Sequence, residues 1–193
     1  KDTGNYTLTN KSVFHDVIII SVPSFLKLGN ELTAIFGAAG ENILQIIGEA
    51  AGGEAAKRIS HVRNIEEDII IIFNSVSKWG FGKYELVEFD LDGYVKFKLH
   101  NNPLFVSQDK SNLGLTAQTK THNHYFLIGF YQGYFNMIFN GATLCTEIKC
   151  INNGDKFCEF EIKKLTWIKC VILMKTIVSV STPNIINRFK KDV

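Results

Sequence analysis

The spacing of apolar residues changes along the chain, and the changes mark its elements. Val17–Val22 is a short apolar run with the length of a strand, ended by Pro23. Beyond it, Ser24 is placed to cap a helix towards Phe36, with Phe25, Leu28, Leu32 and Ile35 at helical spacing. Gly37 and Gly40 are expected to break that helix. Residues 41–60 read as a second helix, crowded with small residues from Gly48 to Ala56. Each glycine costs a helix about 1 kcal/mol against alanine, so this many imply close approach by another helix or by a ligand. A phosphate loop is excluded, because the strand before it and the Lys-Ser/Thr ending are missing.

Asn64 followed by Glu66, Glu67 and Asp68 opens a third helix: a cap residue, then acids in the first turn. It runs through Ile69, Ile72, Phe73 and Val76 towards Trp79. The period then switches to two. Tyr84–Leu91 and Tyr94–His100 flank Asp92-Gly93, which predicts a hairpin closed by a type I′ turn. Val87, Phe89 and Leu91 are the expected apolar face of the first strand, and Val95, Phe97 and Leu99 that of the second. Glu88 and Asp90 stand against Lys96 and Lys98 on the charged face. After a polar stretch, 101–120, a fourth helix is expected from Thr121 to Asn140-Gly141. Thr143–Ile151 and Phe157–Lys163 then make two strands around the loop 152–155. The spacing leaves the state of Trp167–Val180 open, and Asn184–Lys191 reads as a short helix after Pro183.

These elements predict an α+β fold, with helices packed on a twisted antiparallel sheet of hairpins. The expected division is a frayed segment at 1–12, one domain over 13–165, and an extension of open role over 166–193. Composition agrees with one domain. The chain has 193 residues, 46% of them hydrophobic, and 15 Phe with 6 Tyr can fill a core or line an apolar pocket. A net charge of +2 is too small to argue for direct nucleic-acid binding. No run reaches the ~18 apolar residues of a membrane helix. No export signal is visible, although Lys1 is not an initiator Met, so the chain reads as trimmed or as part of a longer protein. Three of the four Cys cluster within 14 residues, which favours a metal or free thiols in a reducing cytoplasm over structural disulfides.

The chemistry concentrates in residues 143–160, TLCTEIKCINNGDKFCEF. Cys150 ends one strand, Cys158 begins the next, and Glu147 precedes Cys150 by three residues. Thiolates and carboxylates are zinc ligands, and a structural zinc needs four. His124, at the start of the preceding helix, is the first candidate for the fourth, and His122 the second. Two buried hairpin cysteines beside an exposed Glu are the plain alternative, and a Cys150–Cys158 disulfide is a further one. Cys145 shares the strand face of Glu147, and Trp79, Phe81, Tyr84 and Phe126 are candidates to line a ligand pocket, although ordinary core packing is the more frequent role of such residues.

Gly129-Phe130-Tyr131-Gln132-Gly133, Glu147-Ile148-Lys149-Cys150 and the turn Cys150…Gly154-Asp155…Cys158-Glu159-Phe160 resemble the 4-vinyl-reductase domain family. The resemblance spans roughly residues 17–163. It implies the ligand-binding fold shared with nitric-oxide-signalling and Golgi-transport proteins, related to vesicle-tethering subunits that hold an acyl chain. It also implies kinship with sensory domains of aromatic-responsive activators, whose zinc is held by one Cys, a Glu and two further Cys. The last three look like Glu147, Cys150 and Cys158, while the first falls on His124, a departure that imidazole tolerates. The implied function is binding of a small hydrophobic or aromatic ligand by a homodimeric regulatory domain, with a structural zinc and a possible partner domain. The alternatives are a dimeric scaffold using the Gly/Ala helix as its contact face, or a vinyl-group reductase. The reductase reading is the weakest, since the chain has no dinucleotide fingerprint to supply a hydride carrier.

Overall fold

A computed structural model describes residues 21–59, 64–78, 80–104 and 124–165. The elements, in order, are α1 (Val22–Phe36), α2 (Ala38–Ile59), α3 (Ile65–Lys78), β1 (Lys83–Asp90), β2 (Tyr94–His100), α4 (His124–Ile138), β3 (Thr143–Lys149) and β4 (Cys158–Lys164). The strands form one antiparallel sheet in the order β1-β2-β4-β3. The two hairpins are therefore joined by a long-range pairing in which Phe97 faces Phe160 and Leu99 faces Cys158. This is the expected α+β architecture.

One face of the sheet is apolar. Val95, Phe97, Leu99, Phe160 and Ile162 are fully buried there. Helix α4 lies against β3 and β4, α3 against β1, α2 along α4, and α1 on α2. Tyr131 of α4 stands edge-on to Phe97 at 4.8 Å, and Phe73 of α3 stacks on Tyr84 at 4.8 Å. The opposite face carries ion pairs, Glu85 with Lys98 at 2.8 Å and Glu159 with Lys149 at 3.1 Å.

Several local expectations need correction. Val22 and Pro23 belong to the first turn of α1, not to a strand, and the cap is Ser21, whose Oγ accepts from the Ser24 N–H. Proline suits this position, because the first turn has no intrahelical acceptor for its missing N–H. Residues 17–20 lie outside the described residues. Gly37, at φ +57°, does separate two helices, but Gly40 sits inside α2. The third helix and its Asn64 cap match: Asn64 Oδ1 accepts from the Glu67 N–H.

The first hairpin differs in two ways. Its loop has three residues, since Asp90 pairs with Tyr94 and the Gly93 N–H donates to Asp90 O. Only Gly93 of the loop has a positive φ, whereas a type I′ turn needs two such residues. Strand β1 also carries a bulge between Leu86 and Glu88. A bulge sets two residues against one and so reverses the phase of the strand. Tyr84, Leu86 and Phe89 consequently pack on the core, while Val87 and Leu91 are exposed.

The small residues of α2 serve a helix contact within the chain. A Cβ on Gly48 would meet Phe126 O at 2.1 Å, and one on Gly52 would meet Phe130 O at 1.9 Å. From the other side, Gly129 and Gly133 of α4 fit against Gln45 O and Glu49 O. This face is covered by α4, so it is not the dimer contact of the scaffold reading. The segments 1–12 and 166–193, with Cys170 and the stretch Trp167–Val180, lie outside the described residues.

Candidate metal centre

The site is built at the turn end of the β3–β4 hairpin. Asn136 positions β3: its Oδ1 accepts from the Thr143 N–H and from Thr143 Oγ1, while its Nδ2 donates to Glu49 of α2. The strand then runs with Thr143 and Cys145 towards the helices until Ile148, where the register shifts. In a regular strand, residues three apart lie on opposite faces. The bulge at Ile148 absorbs one residue, so Glu147 and Cys150 share a face and Ile148 is exposed.

After Cys150 the chain makes a single 3-10 turn, Ile151–Asn153. Gly154 follows at φ +96°, a conformation that favours glycine. Asp155 folds back so that its Oδ2 accepts from the Cys150 N–H at 2.9 Å. The Gly-Asp pair thereby returns the chain to Cys158, whose sulfur accepts from the Ile151 N–H at 3.5 Å.

The outcome is one tight group. The ligand atoms of Glu147, Cys150 and Cys158 all lie within 4.8 Å of one another. Cys150 is 4% exposed and Cys158 fully buried. Glu147 Oε1 is buried with no hydrogen-bond partner. Burial, and then the neighbouring Cys150 thiol, push the Glu147 carboxyl up to about 8. The two thiols share a hydrogen bond that lowers Cys150 and raises Cys158, so Cys150 ionises first. A buried carboxylate oxygen without a donor, beside two thiols, fits a divalent ion that supplies the missing charge.

The other predicted residues fall in different places. His124 opens α4, half-buried, with its ring 4.3 Å from that of Tyr125, and it is not in the Glu147–Cys150–Cys158 group. Tyr125 is nearer in effect: burial first, then a hydrogen bond to Glu41, and finally the Glu147 charge hold its hydroxyl neutral. His122 and Trp79 lie outside the described residues. Tyr84 is in the aromatic layer between α3 and the sheet, and Cys145 is buried near Tyr131. Phe81 is partly buried, with its carbonyl accepting from Asn102 Nδ2. Phe126 packs edge-on to Phe25 of α1 at 5.1 Å.

Tyr131 was missed from the sequence. Its hydroxyl is 2.8 Å from that of Tyr84, and it is the polar point within the ring layer of Phe73, Phe97 and Phe160. Its position four residues after Leu127 and three before Tyr134, both buried, was the available signal.

No family model matches the chain, and no curated protein matches it in sequence. Solved structures do match. The phenol-responsive sensory domain of the transcription activator PoxR, with phenol, aligns over 77% of this chain and 76% of its own, at 15% identity and a TM-score of 0.62. A trafficking protein particle complex subunit 3 from Naegleria fowleri, covalently bound to palmitic acid, aligns over 75% and 95%, at 16% identity and a TM-score of 0.53. A vinyl-4-reductase family protein from Methanocaldococcus jannaschii aligns over 79% and 100%, at 19% identity and a TM-score of 0.43. They are the kinds of relative that the sequence resemblance named. The chain therefore has the α+β fold of the phenol-responsive sensory domain and of the trafficking subunit.

Proposed function

We propose that this chain is a sensory or regulatory domain that binds a small hydrophobic or aromatic molecule and is braced by a structural zinc ion. The observation that carries the reading is the ring layer between α3, α4 and the sheet, in a fold shared with a phenol-responsive sensory domain. The layer is apolar around one hydroxyl pair, Tyr84 with Tyr131, a make-up that matches a small apolar ligand with one polar group. Glu147, Cys150 and Cys158 are the proposed zinc ligands, with His124 or His122 completing the set. Four protein ligands would leave no position for a reacting water, so the ion's role is to hold the hairpin. The domain is proposed to act as a homodimer, passing ligand occupancy to a partner domain. The scaffold alternative has lost its stated contact face, because α4 covers the glycines of α2.

Native mass spectrometry of freshly purified protein, followed by thermal shifts with phenol, toluene and a medium-chain fatty acid, tests this directly. The expected result is one zinc per chain, a dimer, and a higher melting temperature with at least one compound. Stability unchanged by chelation or by Glu147→Ala would refute the zinc. Absence of any shift across the three compounds would refute the ligand class.

A further inference from the structure

The last pair of the β3–β4 ladder is Lys149 with Glu159. One further step of that register sets Cys150 opposite Cys158. Cys150 keeps extended backbone, at φ −140° and ψ 129°, so the alignment continues past the ladder. Directly opposed residues of antiparallel strands have Cα atoms ~4.5–5.5 Å apart. A disulfide requires ~4.4–6.8 Å. The two sulfurs already lie within 4.8 Å of each other, so side-chain rotation is sufficient to join them. Cys145, the third described thiol, faces Ile162 further along the sheet and is not in the group.

We propose that Cys150 and Cys158 are a peroxide-responsive dithiol, which closes to a disulfide and in doing so gives up the metal held with Glu147. Cys150, 4% exposed at the base of the exposed turn 153–156, is the less enclosed of the two sulfurs and is assigned the first step. Its thiolate attacks hydrogen peroxide, the O–O bond breaks, and a sulfenic acid and hydroxide result. The Cys158 sulfur then attacks the Cys150 sulfur. The S–S bond forms, the S–O bond breaks, and the leaving hydroxide takes the thiol proton as water. Two electrons pass from the two sulfurs to one peroxide. Glu147 is then the only member of the group still able to hold an ion. Release of zinc rests on the zinc reading above; closure of the disulfide does not.

The test uses the full chain loaded with zinc and treated with equimolar hydrogen peroxide. Zinc release is read with a chromophoric chelator, and thiols are mapped by alkylation and peptide mass spectrometry. The expected result is loss of two hydrogens per chain, a Cys150–Cys158 linked peptide and full zinc release, all reversed by dithiothreitol. A Cys145→Ser/Cys170→Ser double variant is expected to respond like the wild type. Oxidation that stops at sulfinic acid, a link through Cys145 or Cys170, or Cys150 and Cys158 both remaining alkylatable would each overturn the proposal. A chain that holds no zinc yet forms the Cys150–Cys158 link supports the redox pair and overturns only the zinc.

Discussion

Glu147 has one carboxylate oxygen buried without a hydrogen-bond donor, beside two thiols. Its pKa is raised from an ordinary 4.5 to about 8. A raised carboxyl favours the folded state in its neutral form. Its contribution is full below about 4.5 and is lost as pH rises through about 8. In metal-free protein, the stability of wild type relative to Glu147→Gln is therefore expected to fall between pH 5 and pH 8, by on the order of 2 kcal/mol once partial exposure is allowed for. Melting curves in chelator at both pH values measure this, and parallel profiles would remove the assignment. With zinc present the sign reverses, because ligands must lose protons to bind metal and the zinc-dependent stability grows with pH. The residue types were legible in the sequence: Glu-x-x-Cys and Cys-x7-Cys are a plausible ligand set by composition alone. Their meeting depended on the bulge at Ile148, and no local residue pattern announces a bulge there.

At the scale of elements, the contact between α2 and α4 makes the sharpest claim. Gly52 and Gly53 are adjacent in sequence and equally unfavourable in an isolated helix. A Cβ on Gly52 would sit 1.9 Å from Phe130 O, whereas one on Gly53 meets nothing nearer than Gly133 O at 3.9 Å. Gly52→Ala is expected to force the helices apart and cost about 1–3 kcal/mol. Gly53→Ala is expected to be neutral or to stabilise by up to ~1 kcal/mol through helix propensity. Urea unfolding of the two variants checks the pair, and equal effects would contradict the packing. The sequence showed that something must approach these glycines closely. It did not say which of them faced it, because the rotation of a helix is settled by its partner. The first hairpin teaches the same lesson: Asp92-Gly93 correctly located the turn, but the three-residue loop and the bulge moved Val87 and Leu91 to solvent.

For the whole molecule, the hairpin β3–β4 is held by α4 on one side and by β2 on another, and the Glu147–Cys150–Cys158 group lies at its turn end. On the proposed zinc reading, the ion at ~100 times its dissociation constant is expected to add about 2.7 kcal/mol of stability. For a chain of this size that corresponds to roughly 5–11 °C in melting temperature. Chelation is expected to remove it, and hydrogen exchange to quicken first at Cys150, Ile151 and Cys158, while Phe97 and Phe160 stay protected. Uniform loss of protection would place the ion's effect elsewhere. Among the described residues, no helix is long and apolar enough to cross a membrane.

What the sequence determined by itself is what short-range physics controls. Helical and alternating periods, the Asn64 cap, the Asp92-Gly93 and Gly154-Asp155 turns, and the residue types of the Glu147–Cys150–Cys158 group all depend on neighbours within a few residues. Tertiary structure decided the β2–β4 pairing, the two bulges, the burial of Gly48 and Gly52 under α4, and the Tyr84–Tyr131 hydroxyl pair. These depend on which surface each element meets. The strand phase and helix rotation that aim a side chain are set by the free energy of the whole core, not by the residues on either side of it.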